Sequence, residues 1–176
     1  MASSTASKPQ HVTHGFGPCY FEDSEILILG SFPSVKSREA NFYYGHPMNR
    51  FWTVLAGIFE IQIPNDADSK QRILKDIHVA LYDVIEECDI QGSSDSSIKN
   101  VVPTDLSKII KHSKIRAIYL NGKKAGALFE KYQKPLIGDS IPSFVLPSTS
   151  PANAATSVNQ LIQIWGAHIN VSCQMM

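Results

Sequence analysis

The segment of residues 42–52 contains the side chains best suited to chemistry. It reads FYYGHPMNRFW, with aromatic rings on either side of His46 and Asn49. An aromatic face can stack on a flat heterocycle such as a nucleobase, and an amide or imidazole can hydrogen-bond to that ring or position a water molecule. The alternative is structural: aromatics in the core, Asn49 as a helix cap and His46 in a turn. Apolar residues recur at helical spacing at 51, 52, 55, 58 and 59, which favours the core for Phe51 and Trp52 and does not decide between the two interpretations for Tyr44 and Asn49.

The loop of residues 30–34 reads GSFPS and has small residues that expose backbone N–H groups. Such a loop can cradle a phosphate or a leaving group. The alternative is a plain turn between a strand and a helix, which these residues alone favour. The loop is neither a P-loop nor a dinucleotide fingerprint, because the later glycines and the lysine are missing. Nucleotide hydrolysis therefore has no support.

A second loop, residues 146–153, reads LPSTSPAN and precedes a predicted helix. A rigid, hydroxyl-rich loop at a helix N-terminus suits a phosphate of a nucleic-acid backbone. The alternative is that Ser150 caps the helix and Pro151 is its first residue.

Asp83 lies near the end of a predicted strand, where its carboxylate could accept a hydrogen bond from a ring N–H. It could equally be a surface charge, since three more acids follow within six residues.

The remaining histidines and the cysteines do not form a recognisable site. We expect surface or capping roles for five histidines without metal-ligand spacing: His11, His14, His78, His112 and His168. The three cysteines, Cys19, Cys88 and Cys173, are far apart and contain no CxxC pair. This pattern argues against a zinc or iron–sulfur site and against a disulfide framework, and it fits a reducing, intracellular compartment. No Ser–His–Asp set can be assigned from one sequence.

The elements that must position these loops alternate between strand and helix. Predicted strands cover residues 26–30, 79–85, 115–120 and 143–146, and helices begin near 49, 69, 104, 123 and 152. This order predicts a parallel sheet covered by helices on both faces, an α/β fold. In such sheets the site lies beyond the carboxyl ends of the strands. Those ends carry GSFPS, Asp83, an LNG turn at 120–122 and LPSTSPAN, so we expect them to converge.

These motifs together resemble the uracil-DNA glycosylase superfamily, and most of all its hypoxanthine-DNA (deoxyinosine) glycosylase branch. The resemblance rests on ILGSFPSVKSRE at 28–39, FYYGHPMNRFW at 42–52, YDVIEECDIQGSSDSSIKN at 82–100 and LPSTSPAN at 146–153. It extends from about residue 26 to the final helix. It implies a three-layer α/β/α sandwich around a four-stranded parallel sheet. It also implies a DNA repair enzyme that hydrolyses the N-glycosidic bond of a deaminated base, with no metal or organic cofactor.

The sequence departs from most of the superfamily in its two loops. Other branches carry an Asp, Asn or Glu in the first loop, where this chain has Gly-Ser-Phe-Pro at 30–33. Most branches also carry a histidine in the last loop, where this chain has Pro-Ser-Thr-Ser at 147–150. These departures disfavour uracil excision. In the hypoxanthine branch the asparagine of HPxN is catalytic, which places that role on Asn49. Tyr44 matches the base-stacking aromatic of the mismatch-specific branch.

The resemblance and the loop positions assign the remaining expected roles. Besides Tyr44, the expected base-binding residues are Ser31, Phe32, Asp83 and His46. The expected DNA-binding residues are Ser34, Ser148, Thr149, Ser150, Asn153, Lys123 and Lys124. No lysine nucleophile stands in the matched motifs, so we expect a monofunctional glycosylase without strand cleavage. The alternatives are a uracil or mismatch-specific glycosylase on the same fold, a non-catalytic DNA-binding module, and a small-molecule or nucleotide binder.

The formal net charge of zero conceals two opposed blocks. Residues 60–95 hold nine acids and three bases, a net charge of −6, and residues 99–134 hold nine bases and two acids, a net charge of +7. The basic block could supply a phosphate-facing patch, with Lys123 and Lys124 as its contacts. For Lys108, Lys111 and Lys114 a solvated helix face is at least as good an interpretation. Neutrality therefore does not exclude DNA, and it predicts modest, salt-sensitive non-specific affinity.

Length and composition describe one ordinary globular unit. The chain has 176 residues, of which 43% are hydrophobic and 18% charged. We expect a flexible N-terminal tail over residues 1–20 and a single domain over residues 21–176. The first ten residues lack the apolar core of a signal peptide and the arginines of a transit peptide, and no apolar run reaches the ~20 residues of a membrane span. We therefore expect an intracellular monomer that acts on DNA and needs no obligate protein partner.

Overall fold

The computed structural model describes the backbone of residues 8–174 and the side chains of residues 8–170. Its strands are β1 Gln10–Thr13, β2 Ile26–Gly30, β3 Val79–Asp83, β4 Ile85–Ile90, β5 Lys99–Pro103, β6 Ala117–Asn121 and β7 Ser143–Leu146. Its helices are α1 Val35–Ala40, α2 Phe51–Phe59, α3 Ala67–Asp76, α4 Ser107–Lys111, α5 Lys123–Tyr132, α6 Lys134–Ile137 and α7 Val158–Gln174. A short 3₁₀ turn covers Asp95–Ser97.

Four parallel strands in the order β3-β2-β6-β7 form the central sheet. Every residue of β2 and β3 is buried. Continuous apolar runs of this kind are typical of parallel strands covered on both faces. The register pairs Gly30 with Asp83 and Asn121 with Leu146, so these polar strand ends lie along one edge of the sheet. The predicted α/β fold with a four-stranded parallel sheet is confirmed.

The helices flank this sheet, and two of them pack against each other beside the site. Helix α2 contacts α7, and the rings of Phe51 and Trp165 meet edge to face with their centroids 6.1 Å apart. Phe51 is fully buried and Trp52 is 6% exposed, which confirms their assignment to the core. Helix α2 begins at Phe51, so Asn49 and Arg50 form the turn that enters it.

A second, antiparallel sheet in the order β1-β4-β5 was not predicted. Strand β4 starts two residues after β3 ends, and its half-buried positions carry acids, so it lacks the continuous apolar run that identifies a buried strand. Strand β1 pairs with β4 from Gln10 to Thr13, and the backbone of Cys19 hydrogen-bonds to Leu81. Residues 10–19 therefore belong to the fold, and the predicted flexible tail up to residue 20 is wrong for them.

Two helices begin at other residues than predicted. Helix α3 begins at Ala67 rather than near residue 69, and Asp66 caps it by accepting a hydrogen bond from the N–H of Ser69. The last helix begins at Val158 rather than near residue 152. The cause is Arg50, whose guanidinium binds the carbonyls of Ser150, Asn153 and Thr156 and so holds residues 150–156 in turns. The LPSTSPAN loop is thus not a helix N-terminus, and Ser150 is not a helix cap.

Candidate active site

The carboxyl ends of β2, β3 and β6 and the loop after β7 enclose a cavity of about 250 Å³. Its wall combines residues from five segments that are far apart in the sequence. The lining residues are Gly30, Ser31, Phe32, Pro33, Ser34, Ser37, Tyr43, Tyr44, His46, Asn49, Asp83, Ser93, Asp95, Asn121, Ser148, Thr149, Ser150 and Pro151. The expected convergence of the strand-end loops is confirmed.

Asn49 has one end of its side chain fixed by the protein. Its Oδ1 accepts hydrogen bonds from the backbone N–H of Phe51 at 2.9 Å and from the hydroxyl of Thr149 at 2.9 Å. Thr149 is fully buried and is itself held by Asn121, whose Nδ2 donates to Oγ1 at 3.0 Å and whose Oδ1 accepts from the Thr149 N–H at 3.0 Å. With both bonds on Oδ1, the NH₂ group is the end of the Asn49 amide left for a ligand or a water molecule.

Arg50 fastens the last loop to the turn that contains Asn49. Its guanidinium donates to the carbonyls of Thr149, Ser150, Asn153 and Thr156, and its backbone N–H donates to Thr149 as well. The Arg50 side chain thereby donates hydrogen bonds to four backbone carbonyls that receive none from a helix. The two segments are about a hundred residues apart in the chain, and this residue makes them one rigid unit.

Tyr44 lies between the two halves of the cavity. One face of its ring stacks on Phe51, with centroids 3.9 Å apart and planes 19° apart, and its backbone is left-handed at φ 54°. Its buried hydroxyl lies near Asn121 and Asp83 but is not in hydrogen-bond geometry with any described residue. Burial raises the pKa of that hydroxyl, so it stays protonated and can donate to a ligand. A buried polar group without a partner is rare in proteins and points to a ligand atom or a water molecule.

Asp83 forms the deep end of the cavity. It is 4% exposed, and its Oδ2 accepts a hydrogen bond at 2.7 Å from Nε2 of His14, which is fully buried. The rings of Phe16, Phe32, Tyr43 and Tyr82 surround that imidazole. His14 is therefore not the surface or capping residue expected from the sequence. The other oxygen of Asp83 lies against Gly30, where a β-carbon would come within 2.5 Å of it.

The first loop continues the cavity wall from Gly30, which pairs with Asp83. Ser31 is buried, and its hydroxyl donates to Oδ1 of Asp95 at 2.9 Å. Phe32 is buried beside His14, with Arg38 over its ring at 5.6 Å. Ser34 caps α1 by accepting from the N–H of Ser37, so its hydroxyl already has a structural role.

The other predicted DNA and base contacts differ in their positions. His46, Ser148, Thr149 and Ser150 line the cavity, and Lys123 and Lys124 are exposed at the start of α5. His46, Thr149 and Asn153 make internal hydrogen bonds: His46 Nδ1 accepts from Met48 N–H, and Asn153 Nδ2 donates to Ser148 O. Because Thr149 is fully buried, its hydroxyl cannot reach a phosphate, and its place is inside the site.

Sequence reasoning missed four residues that the structure places in or behind this cavity: Arg50, Asn121, His14 and Asp95. Asn121 gave the same signal as Asp83, a polar residue directly after a buried strand, and could have been found. The other three gave no local signal, because their partners lie between 64 and 106 residues away or depend on the unpredicted strand β1. Among the described residues no group of three or more His, Cys, Asp or Glu could hold a metal ion, and no helix is long and apolar enough to span a membrane.

Comparison with known proteins decides the family. The model of the uracil DNA glycosylase superfamily matches residues 17–167, which includes every segment that lines the cavity. The chain belongs to this superfamily. The match covers most of the chain and begins before the first loop, in the region that carries Cys19.

Named relatives and one solved structure agree with this placement. A hypoxanthine DNA glycosylase of Methanosarcina acetivorans is 36% identical over 151 residues, 85% of this chain and 93% of the relative. A protein of the same name from Methanosarcina barkeri is 33% identical over 142 residues, 79% and 87% of the two chains. The solution NMR structure of a candidate uracil DNA glycosylase from M. acetivorans superposes with a TM-score of 0.73 at 35% identity, covering 87% of this chain and 93% of that one. The predicted family, fold and DNA glycosylase activity are confirmed.

Proposed function

We propose that this glycosylase removes hypoxanthine from DNA by hydrolysing the N-glycosidic bond of deoxyinosine. One observation carries the proposal: a single cavity holds an asparagine amide fixed at one end and, at its deep end, a carboxylate fixed by a buried histidine. Two of the relatives bear the name hypoxanthine DNA glycosylase, which supports the same substrate.

The bond to the base breaks through an oxocarbenium-like sugar, as in other glycoside hydrolysis. Asn49 orients the attacking water through its free NH₂ group, because its Oδ1 is occupied by Phe51 and Thr149. An amide is not a strong base, but a cationic sugar needs little help in removing a proton from water. Positioning and electrostatics therefore supply most of the rate.

Asp83 reads the edge of the base. Hypoxanthine has an N–H at ring position 1, where adenine has a lone pair. Oδ1 of Asp83, the oxygen that His14 does not bind, can therefore accept a hydrogen bond from position 1 of hypoxanthine but not from position 1 of adenine. An unpaired buried acceptor costs about 1–3 kcal/mol, a useful but modest discrimination against adenine. Weaker pairing of inosine in the duplex adds selectivity when the base is rotated out of the stack.

Tyr44 contacts the flipped base with the ring face that Phe51 leaves free, and its hydroxyl gains a partner from the ligand. Backbone N–H groups of the first loop, beside Ser31, Phe32 and the turn at His46, complete the base pocket. Phosphates flanking the lesion lie against Ser34, Ser148, Ser150, Lys123 and Lys124, while Thr149 and Asn153 support the last loop from within.

The reaction stops at base removal. No lysine is among the cavity's lining residues, so no amine is placed to form the covalent imine that strand-cleaving glycosylases need. A cavity enclosed by the loops of one chain needs no residue from a second copy, which supports a monomer without an obligate protein partner. Cys19 and Cys88 are free, and burial raises the pKa of both thiols to about 11, as suits unreactive cysteines in the reducing compartment that contains the DNA.

An excision assay tests this proposal. Duplex and single-stranded oligonucleotides carrying one deoxyinosine, deoxyuridine, deoxyxanthosine or deoxyadenosine are incubated with the protein, and abasic sites are cleaved with alkali. We expect deoxyinosine to be cut fastest and deoxyadenosine not at all. Failure to cut deoxyinosine would contradict the substrate assignment.

The Asp83→Asn variant tests the assignment of the base reader in the same assay. We expect it to cut deoxyinosine about tenfold more slowly and to lose discrimination against deoxyadenosine, because an amide can donate where the carboxylate only accepts. Asp139→Asn, which neutralises an Asp that is 90% exposed and lies outside the cavity, is the matched control. Equal rates for Asp83→Asn and the parent would show that Asp83 does not read the base.

A further inference from the structure

We propose that Asp95 is a second catalytic residue of this cavity: a general acid that donates a proton to N7 of hypoxanthine as the base departs. The proposal rests on the proposed function and goes beyond it, because it assigns a role to the loop of residues 91–97, which that function leaves unused. Three lines of geometry and charge support it.

The first line is the way this loop is fixed over the first loop. The Ser31 hydroxyl donates to Asp95 Oδ1 at 2.9 Å, the Ser93 hydroxyl accepts from the N–H of Val35 at 2.9 Å, and Arg38 donates to the carbonyl of Gly92 at 3.2 Å. Three contacts from the first loop and α1 therefore hold the Asp95 carboxyl on the cavity wall. Its Oδ2 is left for another partner.

The second line is the separation of the two carboxyls along the cavity. Asp83 is buried at the deep end, whereas Asp95 keeps an exposed surface at the mouth. A purine whose pyrimidine half faces Asp83 must place its imidazole half, with N7 and the bond to the sugar, toward the mouth. The arrangement therefore puts one carboxyl at the edge that identifies the base and the other at the ring that leaves.

The third line is the charge around Asp95. Loss of solvent, despite its exposed surface, raises the pKa of this carboxyl, and the negative charge of Asp83 on β3 raises it further. The Ser31 hydrogen bond and Lys124 on α5 act in the opposite direction and only partly offset this rise. The thiol of Cys88 on β4, also within electrostatic reach, is neutral because burial raises its pKa to about 11. Asp95 thus holds a proton more readily than an ordinary aspartate, which suits an acid.

The step balances with water as the only co-reactant. The proton moves from the Asp95 carboxyl to N7, the bond between C1′ and N9 breaks, and both of its electrons go to the base. The water held by Asn49 forms the new bond to C1′ and releases a proton to solvent, from which Asp95 regains one. Protonation makes the departing purine neutral instead of anionic, and such general acid catalysis contributes roughly 10²–10⁴-fold.

The competing explanation is that the hydrogen bond between Ser31 and Asp95 only holds the two loops together, as a structural latch. Two variants distinguish this latch from a general acid. Asp95→Asn and Ser31→Ala both weaken the latch, but only Asp95→Asn removes the proton. The measurement is the single-turnover rate on a deoxyinosine duplex from about pH 4.5 to pH 9. Binding to a duplex carrying the non-cleavable 2′-fluoroarabino analogue of deoxyinosine and the melting temperature report on folding and affinity.

For the parent we expect a rate that falls as pH rises through the pKa of Asp95, because only the protonated acid works. Asp95→Asn should lose about 10²-fold and this dependence, with analogue binding retained. Ser31→Ala should shift the fall to higher pH, because it removes a hydrogen bond that stabilises the ionised carboxyl. Asp139→Asn should behave like the parent.

Three outcomes would overturn the proposal. A parent rate without this pH dependence, or the same dependence in Asp95→Asn, would exclude the acid while leaving the substrate assignment intact. Equal losses in Ser31→Ala and Asp95→Asn, with no change of pH profile, would establish a latch instead. A parent that does not cut deoxyinosine at any pH would overturn the proposed function and this step together.

Discussion

The cavity has two walls that are built in opposite ways. The asparagine wall, Asn49, Asn121 and Thr149, is linked by hydrogen bonds among its own members. In the carboxylate wall, Ser31, Asp83 and Asp95, one oxygen of each acid is hydrogen-bonded, to His14 and to Ser31, and the other has no hydrogen bond among the described residues. The Tyr44 hydroxyl between them is buried without a partner among the described residues.

This difference agrees with the role proposed for each wall. A water molecule attacks productively only if the group that holds it is in place before the substrate arrives, so rigidity is useful on the asparagine wall. Selection of a base needs donors and acceptors that the base itself satisfies, so open groups are useful on the carboxylate wall. Four predictions, from the largest expected effect to the smallest, test this comparison: three on the two walls and one outside them.

Asn49→Ala removes the amide that is proposed to orient the attacking water. We expect the single-turnover rate on deoxyinosine to fall about 10³-fold, since the loss of one preorganised donor commonly costs roughly 10²–10³-fold. Stability should fall by only about 1 kcal/mol, the typical cost of losing a cap on the N–H of Phe51. Asn65→Ala, at an exposed asparagine outside the cavity, is the control. A rate within tenfold of the parent would contradict the catalytic role.

Gly30→Ala adds a β-carbon beside the carboxylate wall, whereas Asn49→Ala removes a side chain from the asparagine wall. The added β-carbon would lie 2.5 Å from Oδ1 of Asp83, so that carboxylate must shift, whereas the Tyr44 hydroxyl at 3.4 Å is in ordinary contact. We expect excision to fall about 10²-fold, chiefly through weaker binding of the deoxyinosine analogue, because misplacement by about 1 Å can cost that much. Gly17→Ala is the matched control, with no heavy atom within 4 Å of its new carbon. Equal analogue binding by the Gly30 variant and the parent would show that this edge does not contact the base.

Thr149→Val loosens the asparagine wall without touching the substrate. The isosteric change removes the hydroxyl that donates to Asn49 and accepts from Asn121. We expect kcat to fall about tenfold with little change in KM, since one internal hydrogen bond is worth about 1 kcal/mol and the base pocket stays intact. Thr149→Ser should restore most of the rate. A larger effect on KM than on kcat would place Thr149 in substrate binding instead.

The sequence predicted the parallel sheet and missed the antiparallel one for one physical reason. Strands buried on both faces, such as β2, appear as continuous apolar runs, and β7 and α5 have the predicted bounds. The strand β4 is half-exposed and acidic, and β1 is a four-residue polar segment, QHVT. Only the pairing of these two strands makes them strands, and pairing is a long-range property.

The residues of the site show the same difference between local and long-range signals. Tyr44, Asn49 and Asp83 were found because each stands next to a recognisable element or motif, and the parallel topology brings strand ends together. The contacts that fix them were not found, because Arg50 reaches carbonyls about a hundred residues away and His14 depends on β1 for its burial. Candidate functional residues can be recognised from their local sequence, whereas the contacts that hold them in place depend on the tertiary structure.

The smallest expected effect lies outside both walls, on the two lysines that begin α5. Lys123→Gln and Lys124→Gln should each weaken binding to undamaged duplex about threefold and reduce the slope of log affinity against log salt by about 1, because each removes one phosphate contact. Fluorescence anisotropy between 50 and 300 mM salt measures both quantities. Lys111→Gln, an equal charge change on α4 that the sequence left as a solvated helix face, is the matched control. If Lys111→Gln lowers the slope as much as the other two, the basic block acts only through its net charge, and the DNA path would not run along α5.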